Sequence, residues 1–109
     1  ARVILPAPFD KRGELTKDII RKHIARQKGG IVRCYRKAIQ KDPTLQGTVV
    51  VRFVIAPTGS VSRQSIVSST LGSHAVESCM LRRVALWRFP SPKNAGATRV
   101  TYPFLFRAR

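Results

Sequence analysis

Residues 47–60 read Gly47-Thr48-Val49-Val50-Val51-Arg52-Phe53-Val54-Ile55-Ala56-Pro57-Thr58-Gly59-Ser60. The run opens on a glycine, passes through β-branched and aromatic residues, and stops at Pro57-Thr58-Gly59, the pattern of a strand followed by a turn. Alternation puts Val49, Val51, Phe53 and Ile55 on one face. That face is wholly apolar and should meet a core, where each large side chain contributes roughly 1.5–3 kcal/mol on burial. Thr48, Val50, Arg52 and Val54 form the other face, and the arginine predicts that it is half-wet. No other run in the chain is as apolar and as β-prone, so it is expected to be the central strand.

Downstream, Gly59-Ser60 turns the chain into Val61–Ser69, a more polar strand that closes a hairpin and suits a sheet edge. Leu71-Gly72-Ser73 is the next turn. Ser73 can cap a helix from His74 to about Arg88, with Val76, Met80, Val84 and Trp87 at helical spacing and Cys79 and Leu86 flanking them. Phe89-Pro90-Ser91-Pro92 stops that helix, and residues 93–97 read as a loop. Thr98–Arg107 is a third strand, in which Val100, Tyr102, Phe104 and Phe106 alternate with Thr101, Pro103 and Leu105. Pro103 has no N–H to donate, so this strand should have one open side or a bulge.

Upstream, Glu14 to Lys41 reads as a helix. Ile20, Ile24, Ile31, Cys34, Tyr35, Ala38 and Ile39 fall on one stripe, Thr16 can serve as N-cap, and Asp42-Pro43 ends the pattern. Gly29-Gly30 weakens the middle by on the order of 1 kcal/mol per glycine. The stripe keeps its phase across the pair, which favours one helix over two in succession. The opposite face carries Lys17, Arg21, Lys22, Lys28, Arg33, Arg36, Lys37 and Lys41. The plain reading is a solvated face. The near absence of acidic neighbours strengthens the alternative of an anion-binding surface, because solubility does not require one sign of charge. Residues 1–13, with Pro6 and Pro8, read as the end of a linker, although Val3-Ile4-Leu5 can pair along a sheet edge. Residues 14–109 then form the one domain that 109 residues allow.

The chain carries 21 Lys and Arg against 5 Asp and Glu, a formal net charge of +16. That balance implies anionic surroundings or partners, whether nucleic acid, lipid headgroups, glycans or acidic protein. No apolar run approaches the ~18–20 residues that a membrane span needs. The start at Ala1, without methionine, predicts an excised fragment whose anchor or export signal lies upstream.

Chemistry-bearing clusters are missing from the pattern. Asp10, Glu14, Asp18, Asp42 and Glu77 are scattered, and the Glu14/Asp18 pair sits where acids favour the positive end of a helix. His23 and His74 each stand alone. Ser73 or Ser78 beside His74 lacks an acid to complete a triad, and no glycine-rich phosphate loop follows a strand. Cys34 and Cys79 form no CxxC pair and have no histidine cluster, which disfavours zinc. Two buried thiols and one disulfide are equally compatible with their spacing. The expectation is no enzyme, no cofactor and no metal.

The order helix, strand, strand, helix, strand resembles the C-terminal domain of TonB-like proteins. The residues that carry the resemblance are Gly47 to Ile55, Gly59-Ser60-Val61, Ile66-Val67-Ser68-Ser69, Trp87-Arg88-Phe89-Pro90 and Val100-Thr101-Tyr102-Pro103-Phe104-Leu105-Phe106. The tryptophan–basic–phenylalanine–proline end of the second helix is the most specific of them. A narrower resemblance, on Cys34-Tyr35 before Pro43 and Gly47 with Cys79 in the second helix, is to the AgmX/PglI-type branch associated with gliding motility. In that pattern the two cysteines bridge the helices.

The resemblance implies an α+β fold, a three-stranded antiparallel sheet with two helices packed on one face. It implies a periplasmic interaction module, tethered to the inner membrane and coupled to a motor there through an upstream region, that acts in energy transduction, transport or motility. It also implies an outer-membrane or envelope protein partner, gripped when an extended segment adds to the sheet beside Arg99, Val100, Thr101, Tyr102, Pro103, Phe104 and Leu105. The basic positions Arg33, Arg36, Lys37 and Lys41 would meet peptidoglycan or another anionic envelope glycan. The rival class is a nucleic-acid-binding domain. It has the charge, but a KH fold needs a GxxG loop and an RNP sheet needs paired exposed aromatics, and neither pattern occurs. A homodimer formed by pairing of exposed edges is a third expectation.

Overall fold

The computed structural model describes residues 2–4, 17–91 and 96–108. In chain order the elements are β1 (Arg2–Ile4), α1 (Lys17–Gln27), α2 (Gly29–Ile39), β2 (Gly47–Ile55), β3 (Val61–Ser69), α3 (His74–Val84) and β4 (Thr98–Arg107). The strands form one antiparallel sheet in the order β1-β4-β2-β3. The most apolar run, β2, lies between β3 and β4, as its composition predicts. Of the pairing anticipated for Val3-Ile4-Leu5, Val3 and Ile4 pair, with Arg2, against Leu105–Arg107, and Leu5 lies outside the described residues. A fourth, short strand therefore extends the three-stranded body. The expected N-cap Thr16, and the boundary between residues 13 and 14, lie outside the described residues.

Both predicted apolar stripes and the inner sheet face merge into one cluster. Val49, Val51, Phe53 and Ile55 from β2 and Val100, Tyr102, Phe104 and Phe106 from β4 are buried against Ile20, Ile24, Ile31 and Tyr35 on one side of the helix layer. Val76, Met80 and Val84 of α3 complete it. The helices thus lie on a single sheet face. Trp87 is 3 % exposed and sits edge-on to Phe53 at 5.9 Å between ring centroids, with Phe104 at 6.2 Å.

Two expectations about the helices are corrected. The first helix is two, interrupted at Lys28, rather than one with a weak middle. Lys28 keeps helical angles (φ −68°, ψ −11°), which is why the stripe holds its phase across the break. Gln27, the last residue of α1, is drawn into tertiary bonds. Its Oε1 accepts from Arg88 N–H at 2.8 Å, and its Nε2 donates to Arg88 C=O and His23 C=O, each at 3.0 Å. Three residues on, α3 passes close to Gly30, where a Cβ would meet the Arg83 side chain at 2.8 Å unless that side chain shifted. The second predicted helix also ends early, at Val84. Leu86 and Trp87 donate to Arg83 and Val84 in a tightened last turn, which delivers Trp87 inward and leaves Leu86 70 % exposed.

The tryptophan–phenylalanine motif is held from the other side by the β2–β3 turn. Gly59 has φ +90°, and a Cβ on it would lie 2.0 Å from Phe89 O, so only glycine fits. Phe89 N–H donates to Gly59 C=O at 2.9 Å. Gln27 and Gly59 together fix residues 87–89 against the core.

Candidate functional site

Among the described residues, the outer side of β4 is unpaired over most of its length. Along its inner side, β4 pairs with β2 without a register shift, from Gly47↔Phe106 to Ile55↔Thr98. Pro103 faces Val50 in that ladder. Having no N–H, it can only be half of a non-hydrogen-bonded pair, so its even-numbered neighbours carry the bonds to β2. The far side of β2 agrees. Thr48 C=O accepts from Thr70 N–H at 2.8 Å, so the even positions of β2 bond toward β3 and the odd ones toward β4. It follows that Arg99 and Thr101 turn both N–H and C=O outward, and that Pro103 turns out a carbonyl alone.

The seven predicted edge residues are therefore not equivalent. Val100, Tyr102 and Phe104 are spent on β2 and buried in the core. Leu105, expected to be part of the docking edge, is already paired with Ile4 of β1. The cause is the three-residue strand β1, which caps the C-terminal end of β4. Among the described residues nothing pairs with the outer side from Thr98 to Phe104.

Among the described residues, two hydroxyls on β4 are buried without a hydrogen-bond partner, Thr98 Oγ1 and Tyr102 Oη. Burial pushes the Tyr102 pKa up to about 12, partly offset by the positive charge of Arg21. Burial also raises the pKa of Tyr35, whose hydroxyl donates to Leu45 C=O and ties the α2–β2 connection to the helix.

The four predicted anion-binding residues separate. Lys37 and Lys41 line a groove between α2 and α3, where Arg82 joins them. Arg33 lines a different, smaller cleft of about 150 Å³ with Arg83 and Trp87. Arg36 is exposed and lines neither. Arg82 and Arg83 were not singled out in the sequence. Their signal was there, as adjacent arginines in the last turn of α3, but only α2–α3 packing puts them beside the first basic face. Cys34 and Cys79 form a disulfide that joins α2 to α3, and of the two open possibilities the bridged one holds.

The scattered polar residues have local partners. His23 Nδ1 lies 2.9 Å from Ile19 C=O and its ring packs on Phe89. Asp18 pairs with Arg21 at 3.4 Å in the first turn of α1. His74 lies 3.3 Å from Ser78 Oγ, and Glu77 accepts from Ser69. Among the described residues no three His, Cys, Asp or Glu side chains gather as a metal site would require, and no helix is long and apolar enough to cross a membrane.

Comparison with known proteins points one way. The family model for the Gram-negative bacterial TonB protein C-terminal region matches residues 38–108. The solution structure of the Helicobacter pylori TonB C-terminal domain is similar in fold, with a TM-score of 0.57 at 20 % identity over 85 % of this chain and 83 % of that one. No curated protein matches.

Proposed function

The chain belongs to the family of Gram-negative bacterial TonB protein C-terminal domains, interaction domains of envelope energy transduction, and on that premise we propose that it docks an extended segment of an outer-membrane or envelope protein on the outer side of β4. The observation that carries this reading is the backbone from Thr98 to Phe104, whose outer side no described residue pairs with. Seven residues of strand offer about 23 Å of template. Arg99 and Thr101 supply paired donors and acceptors, and Pro103 supplies an acceptor only. An added strand gains affinity from these backbone bonds and is selected by the side chains on either face. The domain is non-enzymatic and periplasmic in this reading, bounded at residue 14, and tethered through an upstream region to an inner-membrane motor. Whether that motor serves transport or gliding motility is a property of the partner.

Amide exchange followed with and without the partner tests the reading. In the free domain the Arg99 and Thr101 amides should exchange fast, and binding should slow them. Slow exchange of both in the free monomer would mean that the side is already covered, and the docking proposal would fall.

A second contribution comes from charge. The separated basic residues Arg33, Arg36, Lys37 and Lys41, extended by Arg82 and Arg83, would hold the domain against peptidoglycan or another anionic envelope glycan. That binding should weaken steeply with salt. Nucleic acid is disfavoured because the strand aromatics Phe53, Tyr102, Phe104 and Phe106 all lie in the core, leaving none exposed on the described sheet to stack on bases. Self-pairing along β4 is the route by which the isolated domain would form a dimer.

A further inference from the structure

From the groove between α2 and α3 we infer a second docking site, one that takes an acidic peptide segment anchored by a single apolar side chain. The groove is open, has a volume of about 420 Å³, and lies in the helix layer. Its position makes the inference independent of strand addition at β4. Its floor is apolar, built from Ala38, Leu45 and Val76 and closed by the Cys34–Cys79 bridge. Its rim is cationic, with Lys37 and Lys41 on one wall and Arg82 on the other, and all three exposed. The positive end of α3 opens into it at Ser73.

Charge complementarity selects the occupant. The one acid in the lining, Asp42, is engaged locally, its Oδ1 accepting from Thr44 N–H at 3.1 Å and Thr44 Oγ1 at 2.7 Å. None of the three rim cations has a carboxylate within salt-bridge distance among the described residues. A free anion would satisfy the rim and leave the floor wet. A neutral apolar segment would cover the floor and desolvate the rim without compensation. A peptide with carboxylates flanking one leucine-sized side chain satisfies both. The disulfide gives this site a purpose beyond stability, since it holds the two walls at a set separation and so lowers the ordering cost of binding.

The probe is a fluorescein-labelled octapeptide with aspartates around one central leucine. Two controls accompany it, one with serine for the leucine and one with serines for the aspartates. Anisotropy at physiological salt should show the parent binding at least about tenfold more tightly than either control. Reversing the rim with Lys37→Glu, Lys41→Glu and Arg82→Glu should remove binding, whereas Arg33→Glu with Arg36→Glu should leave most of it. Ala75→Trp fills the groove from an exposed wall position without changing the charge, and it should also remove binding. If the serine-for-leucine peptide binds as well as the parent, or if Ala75→Trp binds as the unaltered domain does, the attraction is diffuse polyanion binding and the site does not exist. Anionic phosphatidylglycerol vesicles that bind the unaltered domain and Ala75→Trp alike, and displace the parent peptide from both, would overturn the site in the same way.

Discussion

The two long sides of the sheet are built on opposite principles. The outer side of β4 belongs to a strand that runs straight, with every residue from Thr98 to Phe106 in register with β2. The outer side of β3 belongs to a strand whose pairing with β2 shifts twice. Val67 is an extra residue between Ser68 and Ile66, and Arg63-Gln64 together oppose Phe53. Arg63 is held at φ +55°, an unfavourable region for a residue with a Cβ. Bulges twist an edge away from flatness and interrupt its donor sequence, which blocks the approach of another strand. β3 is guarded along its length. Among the described residues, β4 is guarded by the lost donor of Pro103 and by β1 at one end. The regular edge keeps its outward donors and acceptors in an unbroken sequence, and the bulged one does not.

Hydrogen exchange should give the largest effect and can break the comparison outright. On β4, Val100, Tyr102 and Phe104 should exchange about a thousandfold or more slowly than Arg99 and Thr101, since the first set opens only with the fold. Equal protection of the two sets would mean that the assigned bonding phase is wrong. Reduction of the Cys34–Cys79 bond should come next, at about 4 kcal/mol for its loop on the chain-entropy model. Denaturant titration with and without reductant measures it. The contrast between the edges should survive in the reduced folded fraction, because the bond lies in the helix layer.

Tyr102→Phe removes a buried hydroxyl that has no partner among the described residues and should stabilise the domain by about 1–2 kcal/mol. The same substitution has a pH signature. The folded-state pKa is raised, to about 12, so the contribution of neutral Tyr102 is fully present below pH 10 and is lost as pH rises through 12. Tyr102→Phe should flatten that alkaline decline, and thermal melts across that range would report it. Pro103→Val restores one outward N–H and should strengthen an added strand by about 1 kcal/mol. Sedimentation should show more self-association than in the parent, and no change would mean that the proline is not what restrains this edge. Arg63→Gly should give the smallest effect, a stabilisation of about 0.5–1 kcal/mol from relief of the left-handed residue. A loss of stability there would show that the arginine side chain does more for the bulge than its backbone costs.

The local patterns were legible because they depend on neighbours in the chain. Alternation in residues 47–55 and 98–107 was enough to place β2 and β4 and to divide their faces, and the spacing of Val76, Met80, Val84 and Trp87 identified the inward side of α3. Ser73 does cap α3, with Oγ accepting from Val76 N–H at 3.2 Å. Pro103 pointed to an open side or a bulge on β4, and the β2–β4 ladder carries no bulge. The break at Lys28 was only half legible, since Gly29-Gly30 marked a weakness but Gln27 is drawn off by Arg88, far along the chain. The remaining decisions belong to the tertiary structure. Periodicity describes which way a side chain faces and does not specify what it meets. Cys34 meets Cys79 across 45 positions, Ile4 takes the outward bonds of Leu105, and Arg82 arrives opposite Lys37 and Lys41 only because α3 packs beside α2. Each of these contacts joins segments whose separation in sequence carries no local signal, so it is fixed by how the apolar faces share one core.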